Sequence, residues 1–405
     1  MTMSQWADLP VEVLDMISKC LDSRLDFLCF RAVCTSWRYS ASLPSFDQEV
    51  PRLILKLPPP FHADAILMQT AVCRIEPISK LHISFFPFSR SWLVKVGQSK
   101  YGKLQLLNPL TNHKIKYSPT SLNLIDFKFV QLNKAFSLQR LRRSLVSGIT
   151  KFVPFPMSSS YSNIEKFGIL AICQGKLGYW KSGDVDWTLL GDMNLQYEDI
   201  IVWKDQFYVI DTWGTVYWIH PSLKVIQYSP PLYGCGKQKN LVDSCGDLYV
   251  VDRYLDGEMR VYKLDEELGT WVDVKSLDDQ IFVLGTDCSF SISCREFNGG
   301  KGNCIYFMDG DDHAGRGLTA GSIHVFQFED RSSEKLDLIP DYEDQRFPPR
   351  HPFKTVPSSH HRPSSRSSQI FEMQSKLRMS QCNLSNLVSV SVGREGGIIH
   401  LTDTS

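Results

Sequence analysis

The sequence predicts an α+β multidomain protein, with a small helical unit at the N-terminus, a mostly-β repeat domain and a disordered C-terminal tail. Three observations predict this order. Apolar residues recur at helical spacing within the first 40 residues. Short runs rich in Val, Ile, Tyr, Trp and Phe then alternate with Gly, Asn, Asp and Pro, as in a series of short strands. From about residue 331 the composition shifts to Pro, Ser, Arg and His. The predicted boundaries are therefore 1–45, 46–330 and 331–405.

Length and composition are those of a globular protein with two or three domains: 405 residues, 43% hydrophobic and 22% charged. Lys plus Arg and Asp plus Glu are equal at 44 each, so net charge gives no reason to expect nucleic acid or a membrane as a partner. The longest apolar stretch, DIIVWKDQFYVIDTWGTVYWIH, is interrupted by charges, and we expect no membrane span. Eleven cysteines without a C-x-x-C pair predict free thiols in a reducing compartment, the cytoplasm or the nucleus.

The stretch DLPVEVLDMISKCL predicts the first helix. Pro10 suits a position in the first helical turn, with Asp8 as a possible cap. Asp26 can open a second helix. The apolar face of the first helix carries Val13, Leu14, Ile17 and Leu21, and that of the second carries Phe27, Phe30, Val33, Cys34 and Trp37. Two short helices cannot bury this much apolar surface by themselves, so we expect a partner for them, inside the chain or outside it.

The repeat domain is clearest between 199 and 328. DQFYVID, GDLYVVD and NCIYFMD place Tyr208, Tyr249 and Tyr306 at equivalent points, and each is followed by a second strand: GTVYWIHP, EMRVYKLD and GSIHVFQFED. The first two tyrosines lie 41 residues apart and the next two 57 apart. The first spacing is that of one blade of a β-propeller. The second indicates a blade with an insertion, for which the polar segments EFNGGKGN and DGDDHAGRGLTAG are candidates. Trp187 and Trp271, 84 residues apart, are predicted to lie two blades apart.

The tail contains PDYEDQRFPPRHPFKTVPSSHHRPSSRSSQ, which has too few aliphatic residues to form a core and is predicted to be disordered. A weak helix at IFEMQSKLRMS and a hairpin at SVSVGREGGIIHL are further expectations.

The N-terminal stretch resembles an F-box. The resemblance covers Trp6 to Ala41 and is carried by the leading Leu9-Pro10, the apolar helical face and the pattern R-x-V-C-x-x-W-R from Arg31 to Arg38. In that family the segment docks on the Skp adaptor, which joins it to a cullin-RING ubiquitin ligase, the SCF complex. The resemblance implies that the adaptor-binding residues are Leu9, Pro10, Val13, Leu14, Ile17, Leu21, Phe30, Val33, Cys34 and Trp37.

The remainder resembles the propeller-like, kelch-like domain of unknown function found behind plant F-boxes. Residues 91–116 resemble its opening blade, most clearly at Leu107-Asn108-Pro109-Leu110-Thr111. The resemblance implies a plant protein whose propeller holds a protein to be ubiquitinated, and which itself does no chemistry. A chain of this length could hold five to seven blades.

Alternatives remain open at this point. A propeller enzyme or carbohydrate-binding propeller with a helical cap would fit the same composition, and so would a scaffold that binds the Skp adaptor outside any ligase. The sequence has no G-x-S-x-G frame, and its one histidine pair at metal-ligand spacing, His360-His361, lies in the predicted disordered tail. We therefore expect no catalytic residues, no cofactor and no metal. The aromatic residues Trp203, Trp213, Trp218 and Tyr233 could be packing residues between blades or recognition residues on loops.

Overall fold

A computed structural model of the chain describes residues 8–21, 24–40, 54–57, 64–77, 91–98, 104–112, 114–115, 121–123, 127–140, 149–155, 168–181, 183–234, 236–297, 301–309, 322–336 and 398–400. These residues form three short helices and five sheets of four or five strands, besides one two-stranded pairing. The described residues thus form a mostly-β propeller of five blades and a small helical unit, and the predicted α+β class is not confirmed.

The helical unit consists of α1 (Val11–Lys19), α2 (Arg24–Ala32) and α3 (Thr35–Ser40). Two helices were expected, but the second one breaks at Val33-Cys34. The expected cap is also wrong. Pro10 itself occupies the cap position, with extended backbone angles and no side-chain hydrogen bond, and its carbonyl accepts from the N–H groups of Val13 and Leu14, both at 3.1 Å.

Blades 2, 3 and 4 are four-stranded antiparallel sheets in which neighbouring strands follow one another along the chain. Blade 2 contains β7 (Ile149–Phe155), β8 (Gly168–Cys173), β9 (Lys176–Lys181) and β10 (Thr188–Leu190). Blade 3 contains β11 (Tyr197–Trp203), β12 (Gln206–Asp211), β13 (Val216–Ile219) and β14 (Val225–Gln227). Blade 4 contains β15 (Gln238–Ser244), β16 (Asp247–Arg253), β17 (Met259–Asp265) and β18 (Thr270–Val274).

Blade 1 contains β1 (Ile54–Lys56), β2 (Asp64–Pro77), β3 (Trp92–Gln98), β4 (Leu104–Leu107) and β6 (Phe127–Arg140). Its centre is the antiparallel pair of β2 and β6, each 14 residues long. Between β4 and β6, the short strand β5 (Ser121–Asn123) pairs with β24 (Ile398–His400), which lies within the stretch expected to form a hairpin. The described part of that stretch therefore pairs with a distant segment.

Blade 5 contains β19 (Gln280–Leu284), β20 (Ser289–Ser293), β21 (Cys304–Asp309), β22 (Ser322–Gln327) and β23 (Ser332–Leu336). The hairpin of β19 and β20 precedes β21, and β19 pairs with β21 in parallel. This additional strand explains the long tyrosine spacing. The segment DGDDHAGRGLTAG follows Tyr306 and cannot contribute to it.

The tyrosine repeat is confirmed, since Tyr208, Tyr249 and Tyr306 lie on β12, β16 and β21. The predicted domain end at 330 is wrong, because β23 pairs with β22 over Ser332–Leu336 and completes the fifth sheet. Of the predicted tail, the residues 337–397 and 401–405, including the IFEMQSKLRMS helix, lie outside the described residues.

Trp187 and Trp271 are two blades apart, as predicted, and have equivalent roles. The Trp187 indole N–H donates to the carbonyl of Lys56 at 2.6 Å, and that of Trp271 to the carbonyl of Pro230 at 3.0 Å. Trp187 thereby connects blade 2 to β1 of blade 1, and Trp271 connects β18 of blade 4 to the loop that follows blade 3.

Blade 1 and blade 5 close the ring. Buried residues of both blades form one cluster, which includes Val72, Leu110 and Ala135 on the blade 1 side and Ile281 and Phe290 of blade 5. Residues 107–111, which resemble the opening blade of the propeller family, lie at this closure. Asn108 Oδ1 accepts from the N–H groups of Leu110 and Thr111 at 2.9 and 3.2 Å. The Thr286 N–H of blade 5 donates to the Leu110 carbonyl at 3.3 Å. This segment therefore forms a turn that joins the first blade to the last.

Candidate protein-docking surfaces

The helical unit has a core of its own. Leu14, Phe27, Phe30 and Trp37 form a buried cluster, with the rings of Phe30 and Trp37 at a centroid distance of 4.7 Å. Two arginines connect α2 to α3: Arg31 Nη1 donates to the Arg38 carbonyl at 3.0 Å, and Arg38 Nε donates to the Arg31 carbonyl at 3.4 Å. Each arginine therefore has a structural role, because it satisfies a carbonyl group near a helix end.

The ten residues expected to bind an adaptor fall into three groups. Leu14, Phe30 and Trp37 are buried in the cluster of the helical unit. Pro10 and Val13 are exposed. The other five are partly buried against the cluster: Leu9, Ile17, Leu21, Val33 and Cys34. Their contact with an adaptor stays a prediction, and the buried members support the helices from inside.

The exposed apolar surface of the unit follows α1. Pro10, Val13, Met16 and Cys20 are all exposed, and their spacing of three or four residues places them on one side of the helix. We call these four residues the α1 stripe. Met16 is 68% exposed, and Val11 and Tyr39 are further exposed large apolar residues of the helical unit. Met16, Cys20, Val11 and Tyr39 were not among the adaptor-binding residues predicted from the sequence. The three-residue spacing from Val13 to Met16 could have indicated that both lie on one side of the helix.

A second apolar surface lies on the propeller. In blades 2–4 the loop after each second strand and the loop leading to the next blade emerge on one face, because the strands alternate in direction. Hydrogen bonds connect these loops: Thr212 N–H donates to Gln196 O at 2.9 Å, and Leu232 N–H donates to Trp213 O at 3.1 Å. Four of these loops carry an exposed large apolar side chain. Met193 and Tyr233 lie on the loops that lead from blade 2 to blade 3 and from blade 3 to blade 4, and Trp213 and Leu255 lie on the loops after β12 and β16. We call these four residues the loop face.

The structure separates the aromatic residues that the sequence left open. Trp203 is buried in the cluster between blades 3 and 4, and Trp218 is half-buried against it, with its indole N–H donating to Gln206 Oε1 at 2.8 Å. Trp213 and Tyr233 are 65% and 79% exposed. The first pair is therefore structural, and the second pair is available to a partner.

The loops that carry these aromatic residues are held in place. Asp211 is buried, and its Oδ1 accepts from the N–H groups of Trp213 and Thr215 at 2.9 and 2.8 Å. Tyr233 has a φ of 54°, in the left-handed region that favours glycine. A large aromatic side chain held exposed on such backbone is a feature more typical of recognition loops than of packing.

Below the loop face lies a charged group between blades 3 and 4. Lys239 and Asp252 are both buried, with Lys239 Nζ 3.4 Å from Asp252 Oδ1, and the Lys239 N–H donates to Glu198 Oε2 at 2.6 Å. Burial raises the pKa of Glu198 to about 7, and the charge and N–H of Lys239 only partly oppose it. A Cβ at Gly236 would lie 2.0 Å from an Asp252 oxygen, so only glycine fits there.

No cluster of three or more metal-ligating side chains occurs among the described residues, and no helix among them is long and apolar enough to cross a membrane. All nine cysteines in the described ranges have free thiols, four of them buried. Of the two polar insertion segments, residues 298–300 and 310–321 lie outside the described ranges. What this part of the chain offers is two exposed apolar surfaces on separate units, an arrangement suited to joining two proteins.

Both a family model and known relatives match this chain. The family described as the KIB1-4 beta-propeller matches residues 67–348. The chain is 30% identical to the Arabidopsis thaliana F-box protein At4g35733 over 345 residues, which is 78% of this chain and 93% of the relative. It is also 30% identical to the Arabidopsis thaliana F-box protein SKIP23 over 392 residues, 86% of this chain and 95% of the relative.

Proposed function

This chain belongs to the plant F-box proteins that carry a KIB1-4 β-propeller, and we propose that it is the substrate-recognition subunit of an SCF-type cullin-RING ubiquitin ligase. The helical unit docks on a Skp-type adaptor and, through it, on a cullin. The propeller binds the protein to be ubiquitinated. The chain needs no cofactor and carries out no chemistry itself.

The α1 stripe is the observation that carries this proposal. The helical unit encloses a core around Leu14 and Trp37, yet leaves Pro10, Val13 and Met16 exposed on one side of α1. Covering an apolar side chain of this size contributes roughly 1.5–3 kcal/mol. Several such side chains together can offset an association cost of about 4–15 kcal/mol. The stripe is therefore the surface that an adaptor would cover.

The loop face is the surface we assign to the substrate. Large, rigid aromatic side chains dominate the binding energy of protein interfaces, and Trp213 and Tyr233 are both exposed on loops held by hydrogen bonds. A substrate bound there would be tethered to the ligase. Its lysines would then meet the ubiquitin carrier at a raised effective concentration, which is how an adaptor without catalytic groups accelerates transfer.

The compartment we propose is the cytoplasm or the nucleus. Free thiols persist in reducing compartments, and the described cysteines are free.

The experiment that tests the proposal is co-purification of the full chain with a Skp-type adaptor and a cullin. The informative variant is Val13→Asp with Met16→Asp, because both side chains are exposed and their replacement leaves the core of the helical unit intact. Replacing Trp37 would be ambiguous, since Trp37 is buried and its loss would unfold the helices. The matched control is Leu189→Asp with Leu268→Asp, two exposed apolar residues of the propeller outside the loop face.

We expect wild type and control to retain adaptor and cullin and the α1 variant to lose both. Retention of the adaptor without cullin would favour a scaffold outside the ligase. Absence of the adaptor from wild type would overturn the proposal.

A further inference from the structure

Helix α2 contacts two different cores. Phe27 and Phe30 point into the cluster of the helical unit. Leu28 and Cys29 pack instead against a buried cluster of blade 1, which consists of Cys73, Ile75, Val94, Val96, Leu104, Leu106, Phe127 and Phe129. We call this contact the α2 seam. The helical unit is thus packed directly on the first blade, in addition to its connection along the chain.

Helix α2 packs on blade 1 where its two central strands are longer than those of other blades. The strands β2 and β6 have 14 residues each, about 46 Å at the usual rise, whereas strands of blades 2–4 have three to seven. Alternate residues of β2 share one face. At one end of that face, Ala65 packs in the cluster with Phe152 and Ile169 of blade 2. At the other end, Cys73 and Ile75 belong to the cluster on which Leu28 and Cys29 of α2 pack. Helix α2 therefore covers the part of blade 1 that extends beyond its neighbouring blade.

The helical unit is too small to be stable alone. Its described residues lie between 8 and 40, and four residues form its buried cluster. Folded units below about 40 residues usually need disulfides, metals or a second chain for stability. Because α2 supplies two of the four cluster residues, we expect that detaching α2 from blade 1 unfolds the unit.

We propose that the α2 seam couples adaptor binding to the stability of blade 1. The inference rests on the function proposed above. An adaptor that binds the folded helical unit also holds α2 on β2 and β3, since a ligand selects the state that it binds. Conversely, packing in blade 1 determines how often the unit opens. The adaptor and the propeller are then held in one fixed orientation, with Leu28 and Cys29 as the positioning residues.

Two thiols at the seam, half-buried Cys29 and buried Cys73, report its opening. Burial, with a smaller effect of Asp26, raises the pKa of Cys29 and of Cys73 to about 12. Both thiols are therefore protonated and unreactive while the seam is closed. Pulsed alkylation of the full chain with iodoacetamide, followed by mass spectrometry, measures the opening rate at each cysteine. Exposed Cys245 on the β15–β16 turn calibrates the reagent, and buried Cys304 in the blade 5–blade 1 cluster reports unfolding of the whole propeller.

A recombinant Skp-type adaptor at about 100 times its dissociation constant should slow alkylation of both Cys29 and Cys73 by at least tenfold, with a ceiling of about 100-fold. Cys245 should react at an unchanged rate. If the adaptor binds and protects Cys29 alone, or neither thiol, the coupling is overturned and the proposed function still stands. If no adaptor binds, the proposed function itself fails, and a binding assay in the same samples distinguishes the two cases.

A substitution in blade 1 tests the coupling from the opposite side. Ile75→Ala, which creates a cavity under α2 without touching the helical core, should speed alkylation of Cys29 by at least tenfold. The matched control is Ile210→Ala, since Ile210 is equally buried but lies between blades 3 and 4. If Ile75→Ala does not fold, Ile75→Val should give an increase of about two- to tenfold. Equal Cys29 rates in the Ile75 and Ile210 variants would overturn the inference.

Discussion

Lys95 on β3 forms an ion pair with Asp287 of blade 5, and both side chains are buried. Asn112 joins the pair, accepting from Lys95 Nζ at 2.7 Å through Oδ1 and donating to Asp287 Oδ2 at 3.1 Å through Nδ2. A ring of five blades must close between its first and last members, and this polar group lies at that closure, beside the apolar cluster.

Removing one charge of this pair should open the closure. Lys95→Met leaves the Asp287 carboxylate buried without its cation, which costs about 3–5 kcal/mol in the free energy of unfolding. The double variant Lys95→Met with Asp287→Leu leaves no such charge and should recover most of this loss. Urea unfolding followed by tryptophan fluorescence measures both. Equal stability of the single variant and wild type would show that the pair is not needed for closure.

Glu198 predicts how stability depends on pH. Its folded pKa of about 7 lies above the ordinary value of 4.5, so the folded state holds the proton more tightly than the unfolded chain. The contribution of Glu198 is therefore fully present below about pH 4.5 and is lost as the pH rises through 7. Its total size is up to about 3 kcal/mol, at about 1.4 kcal/mol per pKa unit.

The substitution Glu198→Gln removes this titration and retains an oxygen that can accept from the Lys239 N–H. Relative to wild type, we expect the variant to gain stability between about pH 4.5 and 7 and to level off above pH 7. Asn194→Ala, at an exposed side chain of the preceding loop that carries no titrating group, is the control and should follow the wild-type pH profile. A constant stability difference between Glu198→Gln and wild type at all these pH values would contradict the assignment.

The loop face can be separated from the fold by Tyr233→Gly. Glycine adopts the positive φ of this position without a steric penalty, although it adds freedom to the unfolded chain, so the free energy of unfolding should stay within about 1 kcal/mol of wild type. Combined with Trp213→Ala, it removes both exposed aromatic side chains. Quantitative affinity purification should then lose the proteins bound by wild type, while Val185→Ala with Leu189→Ala should retain them. Identical sets of bound proteins in all three samples would exclude the loop face as the substrate surface.

Sequence reasoning located features that repeat locally. The spacing of Tyr208 and Tyr249 gave the blade length, and Trp187 and Trp271 gave equivalent positions two blades apart. Long-range pairing left no such local signal. Strand β6 pairs with the edge of β2 that β1 and β3 leave free, and no local pattern in the sequence indicates this pairing. The same holds for the parallel pairing of β19 with β21.

The sequence predicted the helical segment but not which of its apolar residues are exposed. Helical periodicity identifies apolar positions but does not tell which of them another element covers. Val13 and Leu14 are adjacent and both apolar, yet Leu14 is buried in the cluster and Val13 is exposed. The same applies to α2, where Phe27 and Leu28 are neighbours that pack into different cores.

Titration of the purified chain with a Skp-type adaptor, by calorimetry, tests the central claim most directly. The account predicts that wild type and the Leu189→Asp, Leu268→Asp control bind with the same affinity. The Val13→Asp, Met16→Asp variant, folded as shown by unchanged unfolding, should bind at least 100-fold more weakly, because it places two carboxylates in the surface that the adaptor covers. Binding of that variant at wild-type affinity would contradict the account.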